Sequence, residues 1–527
     1  MFKILVSDKL GQAGLDILEA AKDAEVQVST GLSEDELINI VGDYDALIVR
    51  SGTQVTANVL EAAKKLKVVG RAGVGVDNVD VAAATLNGVI VMNTPSANTI
   101  ATAELALTLM LSAARNVVQA DASLRAGEWR RSDFGGTELR GKTVGIVGFG
   151  RIGREVAARC QAFDMAVHVY DPYVSESVAR ELDVELMDLE EVLSTSDYVT
   201  LHSVLNDETR EMINAERLAL MKQGATLINV ARGGLLDENA VAGSLDAGHL
   251  GLAAVDVFSS EPPTEDNPLR AHPKVIHTPH LGASTKEAQR DVAIDVATQV
   301  LDALRGDRVA NSVNLGFSQS MSFDAIAPFI ELAEKIGMLQ VAMADGEITS
   351  VEVEVNHERA DELMKPVAAG LMKGLLDVGH TGRVNYVNAP VIGSDKGIDI
   401  ERSTEKLESR SNTATCRVKW DGGERVVSGK IFDGSTQRIV RVASYSMEAD
   451  PRGTILLLLN KDVPGVVGTV ATKLGELGIN VGEWRLGRNE EKSEALSFIN
   501  LDAMPSPEAI EAIGNLEPVR KIAVVEL

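Results

Sequence analysis

Cysteine is nearly absent. Of 527 residues only Cys160 and Cys416 carry a thiol, which leaves no disulfide framework and no cysteine metal site, so no metal is expected. Cations are the minority charge, with 51 Lys and Arg against 77 Asp and Glu and a formal net charge of −26. No basic cluster resembles a nucleic-acid footprint, so polyanion binding is disfavoured, no nucleic-acid partner is expected, and any anionic substrate must be held by locally placed arginines. Long apolar runs are missing as well. The start, MFKILVSDKL, has only a three-residue apolar run before Ser7, too short for a signal-peptide core. The stretch from Ala101 to Ala114 is interrupted by Thr102, Glu104 and Thr108 and falls short of a membrane span. These absences predict a cytoplasmic protein with no membrane partner. Its length, with 45% hydrophobic and 24% charged residues, is that of a soluble chain of three or four domains.

What is present is a nucleotide motif. Thr143 to Val147 is a short β-branched apolar run, read as a buried parallel strand, and Gly148, Gly150 and Gly153 follow it as G-x-G-x-x-G. Gly148 permits the tight turn, Gly150 lets the backbone approach a pyrophosphate, and Gly153 lets the next helix pack on the strand. The diphosphate belongs on that helix N-terminus. Context strengthens a weak motif: Met165 to Tyr170 reads as the next strand and ends at Asp171, where an acid accepts ribose hydroxyls and favours NAD over NADP.

Strand and helix alternate on both sides of this motif. Before it come FKILVSD, a helix from Gly11 to Ala21, VQVS, a helix from Glu34 to Val41, ALIVRS, and short strands at Val68 and Val89. Thr99 to Val117 reads as one long apolar helix. After Asp171 come strands at Tyr198, Thr226, Ala253 and Val275, then a helix from Thr285 to Leu304 that returns to the first domain. This predicts an α/β fold of two Rossmann-like domains, one inserted in the other, with ligands in the cleft at strand C-termini. Residues 306–316 read as a linker. Beyond it lie helices, then strands that alternate as an antiparallel sheet, and from Thr454 a β-α-β-β-α-β order that is ferredoxin-like.

Three strand ends carry reactive groups: Arg232 in NVARGG, Glu261 in FSSEPP and His280 in TPHLGAST. Removing hydride from an alcohol needs a base for the hydroxyl proton, and histidine suits that task near neutral pH. An acid beside the imidazole fixes its tautomer and stabilises the imidazolium, while an arginine can clamp an α-carboxylate bidentately. Taken singly, Arg232 is as readily a surface ion pair, Glu261 a loop acid and His280 a helix cap. His202 ends a strand near the expected cofactor path.

The set RSGTQVT (50–56), GRAGVGVDNVD (70–80), NTPSANTIATAE (93–104), the glycine loop, INVARGGLLDE (228–238), AVDVFSSEPP (254–263) and TPHLGAST (278–285) resembles the D-isomer-specific 2-hydroxyacid dehydrogenases. Within them it is most similar to the long phosphoglycerate dehydrogenases. The resemblance implies oxidation of 3-phosphoglycerate with NAD as the first step of serine biosynthesis, with Arg232, Glu261 and His280 catalytic. It adds Arg151, Ile152, Val230, Ala231, Arg232, Asp256, His280, Gly282 and Ala283 to the cofactor contacts. Substrate residues implied are Arg50, Ser51, Arg71, Asn98 and the N–H groups of Val74 and Gly75, with Arg131 reaching in from a neighbouring subunit. The implied domains are 1–98 with 285–314 for substrate, 99–284 for NAD, an α+β intervening domain at 317–450 and an ACT domain at 452–527. ACT domains pair and bind an amino acid, here implied as L-serine at Asn460, Asp462 and Asn480, in a homotetramer. Asp462 stands where serine-sensitive relatives usually carry an amide. Glyoxylate or hydroxypyruvate reductases and NADH-sensing corepressors share the fold and remain the alternatives.

Overall fold

Apolar, largely β-branched runs form the inner layer of the first unit. Its five parallel strands lie in the order Ala24–Val28, Phe2–Val6, Ala46–Val49, Val68–Arg71 and Ile90–Met92. Helices cover both faces, so a central strand needs apolar side chains on both, and Ala46–Val49 is buried at every position. The computed structural model describes residues 1–306, 309–315, 321, 323–376, 384–403 and 411–527. The helix Lys286–Arg305 returns to this sheet as expected, and its Val292, Val296, Val300 and Leu304 share a core with Ile4, Ile48 and Met92. Its last residue is tied down by the Asp23 carboxylate, which accepts from Arg305 Nε and Nη2 at 2.8 and 2.7 Å. Those hydrogen bonds hold the Asp23 carboxyl down to about 2.

Part of the expected linker is an edge instead. Val313 N donates to Val91 O at 2.7 Å, and the Asn314 carboxamide accepts from Val91 N and donates to Val89 O, both at 2.9 Å. Ile90–Met92 is the outer strand, and this segment satisfies backbone groups that an edge leaves open. Residues 307, 308 and 316 of the same stretch lie outside the described residues.

The second unit is a seven-stranded parallel sheet in the order Val275–His277, Leu252–Val255, Thr226–Asn229, Tyr198–Leu201, Thr143–Val147, Ala166–Tyr170 and Glu185–Leu186. Chain order reverses at Thr143–Val147, which places the glycine loop at the switch point of a doubly wound sheet. The long helix expected up to Val117 is two helices. Thr99–Ala114 stops where Asn116 takes a left-handed φ of 50°, a conformation asparagine tolerates. Val117–Arg125 follows with no buried residue.

The third unit has six strands, in the order Asp399–Ser403, Ile348–Asn356, Thr413–Trp420, Gly423–Phe432, Thr436–Val442 and Tyr445–Ala449, of which only the first pair is parallel. The fourth is the expected ferredoxin-like sheet, ordered Val481–Arg488, Glu494–Leu501, Thr454–Lys461 and Val519–Glu526 and wholly antiparallel. Alternation along its strands serves two cores. Leu456, Leu458, Ile499 and Leu501 face the unit's own helices, whereas Ile455, Leu457, Leu496 and Phe498 join the core built on Phe323–Met343. The last two units are therefore packed as one body.

Helices Phe323–Met343 and Ala360–Leu376 approach backbone to backbone in the third unit. A Cβ at Gly374 would stand 1.9 Å from Glu334 O, and one at Gly370 2.4 Å from Ile330 O. Gly374→Ala must push these helices apart, and we expect a loss of about 1–3 kcal/mol in urea unfolding. Gly475→Ala, in the exposed face of Val466–Glu476 with nothing within 4 Å of its Cβ position, should instead gain about 0.5–1 kcal/mol.

Candidate active site

The glycine loop is built for an anionic ligand. Gly148 has φ +97°, and a Cβ there would lie 2.7 Å from the His202 carbonyl carbon; a Cβ at Gly153 would lie 2.3 Å from Gly148 O. Gly150 has no protein atom within 4 Å of its Cβ position, so its backbone is open to approach. The helix Arg151–Ala162 starts there, and its unpaired N–H groups favour a phosphate. Asp171 ends the next strand and steadies the loop: its carboxylate accepts from Phe149 N at 2.7 Å and Tyr173 N at 2.9 Å. A carboxylate offers about four lone-pair sites, so acceptors remain for a ribose diol. These features fit the adenosine diphosphate half of NAD. Ile152 is half-buried, packed against the core beneath the loop, while Arg151 is exposed at the helix start.

His202 does not offer a charge to that ligand. Burial pushes its imidazole down to about 3, and Nε2 is engaged with Thr200 Oγ1 at 2.9 Å. Its contribution is the backbone wall against which Gly148 turns. Nδ1 is buried without a hydrogen-bond partner.

His280 and Glu261 meet as the sequence predicts. Nδ1 of His280 lies 2.6 Å from Glu261 Oε2, and Glu261 Oε1 accepts from Phe258 N at 3.1 Å. A carboxylate on Nδ1 fixes the tautomer and leaves Nε2, which makes no protein hydrogen bond among the described residues, as the acceptor toward the cleft. Burial opposes ionisation of Glu261. The His280 hydrogen bond and charge, Phe258 N–H and the Arg232 charge more than offset it and hold the carboxyl below its usual range. His280 itself sits at a left-handed φ of 53°, a conformation that persists only where neighbours over-determine it. Asp256 does so: its buried carboxylate accepts from Thr278 Oγ1 at 2.5 Å, Leu281 N at 2.7 Å and Gly282 N at 2.9 Å. Asp256, expected among the cofactor contacts, is bonded here to the turn that carries His280. Burial raises its pKa despite them.

Arg232 is set by a residue that sequence reasoning passed over. Asn229, fully buried at the end of its strand, donates to Arg232 O at 2.9 Å and accepts from Ala231 N at 3.1 Å. Val230 beside it is buried. The signal was an Asx residue at a strand end, a turn former by its side-chain reach. Glu238 was missed too; it accepts from Ser259 N and Ser259 Oγ, both at 2.8 Å, and anchors the loop before Glu261.

Across the cleft, Arg71 lies near enough to both Arg232 and Arg50 to feel their charges. No carboxylate forms an ion pair with Arg50 or Arg71 among the described residues, and Arg71 Nε is buried without a partner. Desolvation, then the charges of Arg232 and Arg50, lower Arg71 to about 10. Asp8 holds the strand end by accepting from Arg50 N at 2.6 Å and Thr53 N at 3.0 Å, and Asn78 Nδ2 donates to Arg50 O at 2.7 Å. Ser51 is exposed on that loop. The N–H groups of Val74 and Gly75 find no protein acceptor among the described residues, while Val74 O accepts from Asn93 Nδ2 at 2.5 Å. Asn98 precedes the helix Thr99–Ala114 with Oδ1 buried and unpartnered. Ala283 O accepts from Gln289 Nε2 at 2.8 Å. Arg131 lies outside this constellation, on the exposed turn Arg131–Phe134.

In the fourth unit Asn460, Asp462, Gly465 and Arg488 line a pocket of about 210 Å³. Asp462 pairs with Arg488 at 3.1 Å, and Asn460 Oδ1 is buried without a partner. Asn480 is not there. Register places it at the other end of the sheet, beside Leu501 and Thr454, where it donates to Asp502 at 2.6 Å. Among the described residues no cluster of three His, Cys, Asp or Glu is placed to hold a metal, and no helix is long and apolar enough to cross a membrane.

Comparison with known proteins agrees with this geometry. Residues 107–282 match the family model of the D-isomer specific 2-hydroxyacid dehydrogenase NAD binding domain, and 325–443 match that of the D-3-phosphoglycerate dehydrogenase intervening domain. The D-3-phosphoglycerate dehydrogenase of Methanocaldococcus jannaschii is 42% identical over 528 residues, covering 100% of both chains. Among solved structures, the TT0316 protein of Thermus thermophilus superposes with a TM-score of 0.55 at 38% identity, over 59% of this chain and 99% of that one. The D-lactate dehydrogenase of Aquifex aeolicus, complexed with NAD and lactic acid, gives 0.53 at 26% identity, over 58% of this chain and 96% of its own. This chain belongs to the D-3-phosphoglycerate dehydrogenase family, within the D-isomer specific 2-hydroxyacid dehydrogenases.

Proposed function

We propose that the chain oxidises the 2-hydroxyl of 3-phospho-D-glycerate to 3-phosphohydroxypyruvate, using NAD, as the first step of L-serine biosynthesis. The observation that carries the reading is the cleft itself, with the His280–Glu261 pair on one wall and Arg50 and Arg71, free of carboxylate partners, on the other. Arg232 and the Val74 and Gly75 N–H groups hold the carboxylate, which fixes C2 and its hydroxyl before His280. Nε2 of His280 takes the hydroxyl proton, and Glu261 stabilises the imidazolium that results. When bound, NAD supplies the acceptor for the C2 hydride. Arg71 and Arg50 take the phosphate, with Arg131 contributed by a second subunit.

The domains that carry these roles are 1–98 with 285–314, 99–284, 317–450 and 452–527. An amino-acid effector fits the Asp462–Arg488 pocket, where the acid matches an ammonium and the arginine a carboxylate. L-serine is the effector proposed, with Asn480 supplied by a paired copy and a homotetramer as the assembly. The test is initial-rate NADH formation from 3-phosphoglycerate, D-glycerate and D-lactate, each with and without L-serine. Turnover that depends on the phosphate supports the substrate, and serine sensitivity supports the effector. Turnover of the unphosphorylated acids alone would leave a general hydroxyacid dehydrogenase.

A further inference from the structure

One ion pair joins the two α/β units among the described residues. Asp77, in the loop after Val68–Arg71, lies with Oδ2 3.0 Å from Arg232 Nε. The guanidinium has two other fixed points: Nη1 donates to Ala231 O at 2.7 Å, and Nη2 lies where a Cβ on residue 75 would be only 1.8 Å away. Gly75 leaves the space through which the pair closes. We propose that Asp77 is the positioning residue for Arg232, holding the guanidinium by its Nε edge so that Nη2 faces the carboxylate site beside the Val74 and Gly75 amides. The inference rests on the reading of Arg232 as the carboxylate clamp.

The physical need is orientation. The bond from Nη1 to Ala231 O alone lets the plane swing about that contact, whereas a second bond through Nε fixes the plane, and a planar fork recognises a carboxylate only when its plane is set. Misplacing such a clamp by about 1 Å costs on the order of 100-fold in rate. Asp77 comes from one unit and Arg232 from the other, so the clamp is assembled at the cleft separation seen here. The Asp77 charge also acts on Arg71 and partly offsets the repulsion that Arg71 feels from Arg232 and Arg50.

The experiment compares kcat/KM for 3-phosphoglycerate and D-glycerate in D77A, D77N, R232K and D77A/R232K, with NADH affinity measured by fluorescence. Expected is a fall of about 10–100-fold in D77A with both substrates, since both carry the carboxylate, and unchanged NADH binding. D77N, whose amide oxygen still accepts from Nε, recovers part of that loss. D77A adds little in the R232K background, because the group it orients has gone. Wild-type rates in D77A, a loss confined to the phosphorylated acid, no recovery in D77N, or a full additional loss in the R232K background would each overturn the assignment. So would a rise in kcat/KM, which would make Asp77 a competitor of the substrate carboxylate. Wild-type kinetics in R232K would instead reject the clamp reading itself.

Discussion

His280→Ala should lower kcat by about 10²–10⁴ while NADH affinity stays close to wild type. The imidazole has its Nδ1 engaged by Glu261 at 2.6 Å, and its Nε2 makes no protein hydrogen bond among the described residues, so it is placed to take the hydroxyl proton. The glycine loop and Asp171, which fit the cofactor, do not involve the ring. Stopped-flow turnover and NADH fluorescence titration separate the two effects, and loss of both together would contradict the assignment. Glu261→Gln keeps the volume and removes the charge that stabilises the imidazolium, so a smaller loss is expected. The pH dependence has a definite sign. The Glu261 carboxyl is held below its usual range in the folded protein, so the pair persists above the ordinary glutamate value of about 4.3 and is lost as pH falls through the lowered one. The gap between wild type and Glu261→Gln should close as pH falls through that lowered value, where the wild-type carboxylate is protonated.

Arg71→Ala should raise KM for 3-phosphoglycerate about 30- to 100-fold and leave D-glycerate nearly unaffected. A charge-assisted contact to phosphate is worth about 2–3 kcal/mol when its removal leaves no substitute. The same substitution should leave the ligand-free protein no less stable, and we expect a small rise in Tm. Desolvation, then repulsion from Arg232 and Arg50, lower Arg71 to about 10 against the pull of Asp77 and Asp8, and its Nε lacks a partner. A buried unpaired cation is a cost in the empty site and a gain only when an anion arrives. Thermal melts with and without inorganic phosphate read both halves: phosphate should raise the wild-type Tm and not that of the variant. A melting point lowered in Arg71→Ala without phosphate would show that the cation is structural.

Local chemistry made much of this chain legible before any fold was known. Thr143 to Val147 with three spaced glycines, followed by a second strand that ends at Asp171, reads as a strand turning into a helix, because the turn's left-handed φ and the close helix contact both demand glycine. Arg232, Glu261 and His280 were visible because strand C-termini of a doubly wound sheet converge on one cleft. The helix break at Asn116 was not legible, since apolar side chains continue through Val117 and Val118 and only the backbone of Asn116 records the turn. Nor were Glu238 and Asp8, whose side chains hydrogen-bond the backbone of distant loops and so depend on which loops become neighbours; Asn229, by contrast, bonds its own turn at Ala231 and Arg232, and an Asx residue at a strand end was the local signal for it.

The sequence by itself therefore determined most of the strand and helix order and the nucleotide loop, which follow from periodicity and side-chain chemistry within a few residues, and it named Arg232, Glu261 and His280 as candidates through their place at strand ends and their family motifs. Tertiary structure alone decided the rest. It placed Asp77 on Arg232, 155 residues away, left Arg71 without an ion pair among the described residues, and set Asn480 and Asn460 at opposite ends of one sheet. It also merged the last two units, because Leu457 and Phe498 pack against a helix that begins at Phe323. Pairing of this kind is a property of contact between distant segments, and no local pattern of residues encodes which partner a strand face or a charge will meet.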